Sequence, residues 1–305
     1  MAVTGTTDTE REPVYAELRP LLFSIAYRMV GSASDAEDLV QEAFLRFHRE
    51  QSRGIEVASP KAWLSTVTTR LAINHVQSAR VRRERYVGTW LPEPLVTDSE
   101  PAGLRAAETA DSLSLAFLVL VESLGPVERA VFLLREVFDY GYEEIAAVVG
   151  KSPDNCRQIA ARARRQVQAR KPRFEASRRK RQELSRRFFD AVEAGDAQGL
   201  VGLLAADVVV YGDGGGKGPA IARPLYGRER VVELFGEFRP WSQLLGVRSI
   251  RAAEVNGQPG ALYLDADGRP VAVVSLDIAD GLVQAVRTIT NPDKLRHLTP
   301  PTDRD

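Results

Sequence analysis

Between Tyr142 and Gln168 the chain carries two short amphipathic segments separated by a glycine and a serine–proline pair, and few folds accommodate that pattern. Tyr142 to Gly150, YEEIAAVVG, predicts a helix of about two turns that stops at Gly150, because glycine takes the left-handed backbone that closes a helix end. Ser152 then offers its hydroxyl to the free amides of a new helix. Pro153 fills that helix's first position, where no amide donor is needed. Cys156, Ile159, Ala160, Ala163 and Val167 recur at helical steps and form one apolar face, so Cys156 reads as core and not as a reactive thiol. Arg157, Gln158, Ala161, Arg164, Arg165 and Gln168 occupy the other face. Two short helices joined by a tight turn, the second presenting arginines, predict a helix-turn-helix that enters a DNA groove.

The charge distribution points the same way. The chain has no net charge, but from Lys151 to Arg187 there are fourteen Lys or Arg against three Asp or Glu. A block of that sign inside an otherwise acidic chain suggests a local polyanion site. With 305 residues, 44% of them hydrophobic and 27% charged, the chain is predicted to form two or three globular domains. One cysteine and three scattered histidines, His48, His75 and His297, give neither a disulfide framework nor a metal-ligand spacing, so no metal and no cofactor is expected. The longest apolar run, Leu115 to Val121, is too short to span a bilayer. Residues 1–13 lack an apolar signal core and are expected to be a disordered leader of a cytoplasmic protein with no membrane partner.

Residues 14–86 read as helical. Ser34 is the expected cap of a helix with Asp35, Glu37 and Asp38 in its first turn, where the helix dipole favours acids. Ala36, Leu39, Val40, Ala43, Phe44 and Phe47 form its apolar stripe. Ser59-Pro60 opens a further helix with Trp63, Leu64, Val67 and Leu71 as its apolar side and Arg80, Arg82, Arg83 and Arg85 gathered at its end. Residues 87–112 form a linker broken by prolines and glycines, yet Trp90, Leu91 and Leu95 are unexpectedly apolar for a tether. The helix-turn-helix segment occupies 113–170. Residues 171–295 read as helices followed by strands punctuated by Asn256-Gly257, Asp267-Gly268 and Asp280-Gly281, each a hairpin turn, and 296–305 as a tail. The expected fold is therefore multidomain, an all-α N-terminal half followed by an α+β cone.

One loop invites an enzymatic reading. DGGGK, Asp213 to Lys217, follows a strand and resembles a phosphate-binding loop. However, Gly212 and Gly216 bracket only three residues, and Gly218 stands where the magnesium-binding hydroxyl belongs. A glycine turn is the reading that remains. Tyr211 and Asp213 supply the one acid/base pair a cone-shaped isomerase or cyclase could use. An enzyme fused to a DNA-binding module and a transcription factor without a polymerase partner are therefore the alternative readings; no catalytic residue is assigned.

The motifs of the first two segments resemble extracytoplasmic-function RNA polymerase sigma factors. DAEDLVQEAFLRF (Asp35 to Phe47) is similar to region 2.2, which implies that Asp35, Asp38, Gln41 and Glu42 meet the β and β′ subunits of core RNA polymerase. WLSTVTTRLAINHVQSARVRRE (Trp63 to Glu84) resembles regions 2.3 and 2.4, implying contact of Thr66, Thr69, Asn74, His75, Arg80 and Arg83 with the melted −10 strand. Many members have Asn and Asp where Arg70 and Asn74 stand here. PVERAVFLLREVFDYGYEEIAAVVGKSPDNCRQIAARARRQV (Pro126 to Val167) resembles region 4, implying −35 contacts for Ser152, Asn155, Arg157, Gln158, Ala161, Arg164 and Arg165. The third segment resembles the SnoaL-like, NTF2-like fold. WLPEPL, DGGGK and NPDKL (Asn291 to Leu295) resemble hallmarks of a sigma-factor subgroup that carries this domain as a fused regulator. The resemblance implies regulatory contacts for Trp90, Leu91, Asp213, Gly214, Gly215, Gly216, Lys217, Asn291, Pro292, Asp293 and Lys294, with either a small molecule or a protein as ligand of the cone.

Overall fold

The structure, a computed structural model, describes residues 11–83, 86–98, 111–169, 177–236 and 238–299, without the side chains of 11–13, 80–83 and 238–239. The chain divides into two units, one of residues 1–82 and 121–170 and the other of residues 83–120 and 171–305. The linker thus groups with the C-terminal domain, and residues 1–10, 84–85, 99–110 and 300–305, which carry most of the leader, parts of the linker and the tail, lie outside the described residues.

The first unit is helical. It contains α1 (Arg11–Val30), α2 (Ala33–Ser52) and α3 (Pro60–Arg83). After α4 (Leu115–Glu122), where the boundary falls, come α5 (Pro126–Glu136), α6 (Tyr142–Val149) and α7 (Pro153–Gln168). α2 is capped by Ser32, not Ser34: the Ser32 hydroxyl accepts from the Asp35 amide at 3.1 Å, three residues on, so the helix begins earlier than expected. Its stripe is buried as predicted at Ala36, Val40, Ala43, Phe44 and Phe47. The buried face of α3 is wider than the sequence suggests. Leu64, Ala72, Ile73 and Val76 are buried, but so are Ser65, Thr68 and Thr69, whereas Val67 and Leu71 are only partly so. Other polar groups of this face engage the helix-turn-helix. Tyr140 donates to the Ser65 hydroxyl at 2.9 Å, and Arg70 donates to the carbonyls of Val148 and Ala147 at 2.9 and 2.8 Å. Within the helix-turn-helix, Gly150 closes α6 in the left-handed region, Ser152 caps α7, and Cys156, Ile159, Ala160, Ala163 and Val167 are all buried, as the periodicity predicts.

The second unit begins with α8 (Arg178–Ala194) and α9 (Ala197–Val201), then β1 (Leu204–Asp213), β2 (Leu225–Tyr226), α10 (Arg228–Gly236) and α11 (Phe238–Leu244). It ends with β3 (Ser249–Val255), β4 (Gln258–Leu264), β5 (Pro270–Ala279) and β6 (Leu282–Ile289), followed by two 3₁₀ turns, Pro292–Lys294 and Arg296–Leu298. The three Gly-containing dipeptides are the three hairpin turns of β3 to β6; Asn256 and Gly257, like Asp280 and Gly281, both take positive φ, as a two-residue turn that matches strand twist requires. The sheet runs β2-β1-β6-β5-β4-β3, and β1 joins β6 in parallel, so the sheet is mixed and not a pure meander. Strand alternation then gives each face its own core. One face, with Val208, Val210, Tyr263, Val274 and Val286, packs on Phe188, Phe189, Leu200 and Val231 of the helices. The other packs Leu262, Val273 and Ile289 on Leu91 and Leu115 from the linker segment and on Leu295.

Candidate functional site

The region-2 candidates divide by exposure. Asp38, Gln41 and Asn74 are exposed. Glu42 is partly covered and takes the Arg46 guanidinium at 2.7 Å, a bond that holds its carboxyl below the usual range. Asp35 and His75, assigned to different partners by sequence, face each other with 3.2 Å between Oδ2 and Nε2. The Thr66 hydroxyl donates to the Ala62 carbonyl, and Thr69 is fully buried, so this structure keeps it away from any DNA strand. The side chains of Arg80 and Arg83 lie outside those described.

The region-4 candidates lie together on the solvent side of α7. Ser152, Asn155, Gln158, Ala161 and Arg165 are exposed, and so is Arg162, which the sequence reading passed over. Arg157 and Arg164 are tied to acids of their own unit. Arg157 pairs with Asp154, reaches Glu143 and lies over the Tyr142 ring. Arg164 forms a two-pronged pair with Glu136, Nε at 3.0 Å and Nη2 at 2.6 Å. Both remain about half exposed, so water screens these pairs.

The regulatory candidates converge on one buried constellation in the second unit. β1 ends at Asp213, whose side chain is fully buried. One carboxylate oxygen accepts the Leu91 amide at 2.7 Å and the Lys294 ammonium at 2.7 Å, and the other accepts the Tyr86 hydroxyl. Lys294 also donates to the Leu91 carbonyl and stands over the Trp90 ring at 4.4 Å and the Tyr86 ring at 4.8 Å. The peptide of Leu91 is therefore bracketed, its N–H by the carboxylate and its C=O by the ammonium, while its side chain is buried in the apolar cluster. A buried charge is tolerated only when paired and hydrogen-bonded, and here both charges are. Burial and the adjoining carboxylate push the Tyr86 phenol far up, so it stays a donor.

The glycine loop is shaped to fit this constellation. Its turn is closed by Lys217 and Gly218 amides on the Gly214 carbonyl, at 2.9 and 2.8 Å. A Cβ on Gly215, where φ is +57°, would stand 2.2 Å from the Asn291 amide nitrogen and 2.9 Å from the Tyr86 hydroxyl; one on Gly218 would stand 2.2 Å from the Thr290 carbonyl oxygen. No larger residue fits at either place. Asn291 is buried and donates to the Tyr86 hydroxyl at 2.8 Å. Lys217 pairs with Asp293 at the surface, while the cation on Asp213 is Lys294. Pro292 is exposed.

Several members of the site were not legible in advance. Tyr86 ends the arginine-rich stretch and carries no motif. Asn256 reads as a turn residue, yet its side chain accepts from the Leu95 amide at 2.8 Å and donates to the Leu113 carbonyl at 3.1 Å. Val96 bridges Val255, and the Thr97 amide donates to the Glu254 carbonyl, so the linker extends the edge of the sheet. His297, placed in the tail, sits 2.8 Å from the Pro94 carbonyl.

Residues 14–82 match the family Sigma-70 region 2, and residues 114–167 match Sigma-70, region 4. The chain is 38% identical to the ECF RNA polymerase sigma factor SigJ of Mycobacterium tuberculosis, over 92% of this chain and 91% of that protein. It is 32% identical to the probable ECF RNA polymerase sigma factor SigI of the same species, over 94% and 96% of the two chains. The crystal structure of Mycobacterium tuberculosis SigJ superposes with a TM-score of 0.72 and 35% identity, covering 94% of this chain and 97% of that one.

Proposed function

The chain belongs to the extracytoplasmic-function (ECF) RNA polymerase sigma factors, and we propose that its C-terminal cone regulates initiation by holding the linker between regions 2 and 4. As a sigma factor it binds core RNA polymerase and directs it to promoter DNA, with regions 2 and 4 as the binding parts.

The observation that carries the regulatory reading is the bracketed Leu91 peptide. The 26 residues from Val87 to Ser112 would reach roughly 90 Å fully extended. Promoter elements at −10 and −35 lie about 25 base pairs apart, or ~85 Å along the duplex. With 86–98 and 111–115 both docked on the cone, the two ends of the linker are held on one body and its length is not available to part regions 2 and 4. A docked linker therefore restrains how far regions 2 and 4 can part, and an undocked one does not. The contacts of Arg70 and Tyr140 add a second restraint inside the first unit, since they hold region 2 to region 4 and must break before the buried Thr69 meets DNA.

The cone acts here as a holder and not as an enzyme. Tyr211 and Asp213 lie on the linker-bearing face of β1, while Val210 and Gly212, which alternate with them, line the apolar interior. The proposed acid/base pair thus faces the linker.

In vitro transcription with purified core polymerase tests the reading. Asp213→Asn in the full chain, and a chain ending near Arg170, are expected to change promoter output while core binding persists. Equal output from all three proteins would remove the regulatory role. Reversing the charges of Asp38 and Glu42 together is expected to weaken core binding with the fold intact; undiminished binding would remove α2 from the polymerase interface.

A further inference from the structure

Two guanidiniums lie over the ring of Tyr142. That of Arg157, from α7, is 5.4 Å from the ring centroid, and that of Arg135, from the end of α5, is 5.2 Å away. Tyr142 opens α6, and its place is fixed from several sides. The start of the helix is held by the Gly141 amide, which donates to the Glu144 carboxylate at 2.8 Å, as an acid three residues on can accept from a cap residue. The ring packs against the apolar core of the helix-turn-helix. Arg135 is itself anchored, since it donates to the Tyr140 carbonyl at 3.0 Å and pairs with Asp139 at 3.2 Å. The ring is therefore a fixed surface, and α7 lays Arg157 on it.

The partners of Arg157 differ in which part of the guanidinium they use. Asp154 and Glu143 take its N–H groups, and both acids are mostly exposed. Such pairs are screened and exchange easily. A guanine or a phosphate needs those same N–H groups, so the acids must leave before DNA is bound. The ring needs none of them. A guanidinium is flat, its N–H donors point outward in its own plane, and an aromatic ring attracts its face. Tyr142 can therefore keep its hold on Arg157 while the N–H edge turns to a base or a phosphate. An arginine held in this way loses less side-chain freedom on binding than one that swings in solvent. An aliphatic side chain could fill the same place against the core, but it has no ring quadrupole to attract the cation.

We propose that Tyr142 is a positioning residue for promoter recognition: its ring presents the Arg157 guanidinium to the −35 element without touching DNA itself. This role presupposes the −35 contact of Arg157. It also gives the first helix of the helix-turn-helix a part in recognition that its own sequence, YEEIAAVV, does not announce.

Holoenzyme assembled from core RNA polymerase and the full-length chain is titrated with one duplex, which carries the −35 element that wild-type holoenzyme enriches from a library randomised there. Tyr142→Leu and Tyr142→Met keep apolar bulk and remove the ring, whereas Tyr142→Phe keeps the ring and removes only the hydroxyl. By the size of an exposed cation–π contact, the first two are each expected to weaken the duplex about two- to fivefold, with core binding and the circular dichroism spectrum retained. Tyr142→Phe is expected to bind like wild type. Arg157→Ala is expected to weaken the duplex at least as much as Tyr142→Leu, and Tyr142→Leu added to Arg157→Ala is expected to cost nothing further. Equal losses in Tyr142→Leu and Tyr142→Phe would make the hydroxyl a DNA contact and overturn the role of the ring. A Tyr142→Leu loss that persists undiminished beside Arg157→Ala would overturn it as well, because the ring would then be acting without the guanidinium. Affinity lost with Arg157→Ala but kept in Tyr142→Leu and Tyr142→Met would overturn the positioning and leave Arg157 as a DNA contact. Failure to enrich any element, or affinity unchanged by Arg157→Ala, would instead fault the −35 contact of Arg157 and take the role of Tyr142 with it.

Discussion

Arg164 in the reading helix and Lys294 in the cone are both cations on a carboxylate, at 2.6 and 2.7 Å, yet their surroundings set them opposite tasks. The Arg164 side chain is 43% exposed and that of Lys294 is 9% exposed. At the surface an ion pair contributes little and exchanges partners readily, so Arg164 and Arg157 can leave Glu136 and Asp154 for a stronger anion at small cost. In the interior the same pair is a commitment: once its charges are desolvated, each needs the other and every hydrogen bond around them. Exposure, and not pairing distance, separates the pair proposed to let go for DNA from the pair proposed to hold the linker.

The sharpest way to break this contrast is to remove one partner from each pair. Asp213→Ala leaves the Lys294 ammonium buried without its counter-ion and the Leu91 amide without an acceptor. Breaking a buried pair this way costs about 3–5 kcal/mol. Thermal or urea unfolding followed by Trp fluorescence is expected to show that loss in the transition of the second unit, which contains Trp90 and Trp241. Arg164→Ala is expected to change stability by less than about 1 kcal/mol. A similar cost for both variants would erase the distinction.

A second measurement moves from stability to binding. Arg157→Ala or Arg164→Ala is expected to weaken promoter DNA by about 1–3 kcal/mol if the arginine forks onto guanine. A phosphate contact would instead weaken all sequences alike and lower the salt slope by about one. Because each arginine must first leave an acid, Glu136→Gln is expected to strengthen DNA binding slightly, by freeing Arg164. Promoter binding unchanged in both arginine variants would remove α7 from the reading of DNA.

The sequence made some of these parts visible and concealed others for a physical reason. Local signals were sufficient where one residue fixes one backbone feature: Gly150 and Ser152 at the helix-turn-helix, the three hairpin dipeptides, and the apolar stripe of α7. The cap of α2 slipped because two serines, Ser32 and Ser34, satisfy the same local rule. The parallel pairing of β1 with β6 joins residues some eighty positions apart, and no local pattern encodes it. The lock was half visible. The apolar linker, DGGGK and NPDKL were each marked, but no local pattern encodes how the two motifs cross in the fold, Asp213 to Lys294 and Lys217 to Asp293. Tyr86 and Asn256 were hidden because a phenol at a helix end and an asparagine in a turn are ordinary until a linker lies across them.

A third test stays inside the lock. Tyr86→Phe removes one donor to Asp213 and the acceptor of Asn291 while keeping the ring against Lys294. The expected loss is about 1–2 kcal/mol, smaller than for Asp213→Ala because the ion pair survives. A loss as large as that of Asp213→Ala would mean that the hydroxyl, and not the ammonium, is what holds the carboxylate in place.

The smallest effect belongs to the outer pair. Lys217 lies 58% exposed against Asp293, whose carboxyl it holds below the ordinary range, with Arg296 adding to the shift. A carboxyl lowered in the folded state favours folding at pH values above its ordinary value near 4, and that contribution fades as pH falls through the lowered value. Lys217→Met is therefore expected to cost only a few tenths of a kcal/mol at neutral pH, to raise the Asp293 pKa toward the ordinary value in a ¹³C-detected titration, and to leave stability nearly unchanged at pH values below the lowered one. The same substitution also bears on the glycine loop. The loop's shape comes from Gly215 and Gly218 against Asn291 and Thr290, and not from the lysine. Transcription by Lys217→Met is thus expected to follow wild type more closely than transcription by Asp213→Asn. If the outer lysine instead shifted output as strongly as the buried aspartate, the loop would be acting through its exposed charge on a partner, and burial would no longer mark the residue that governs the linker.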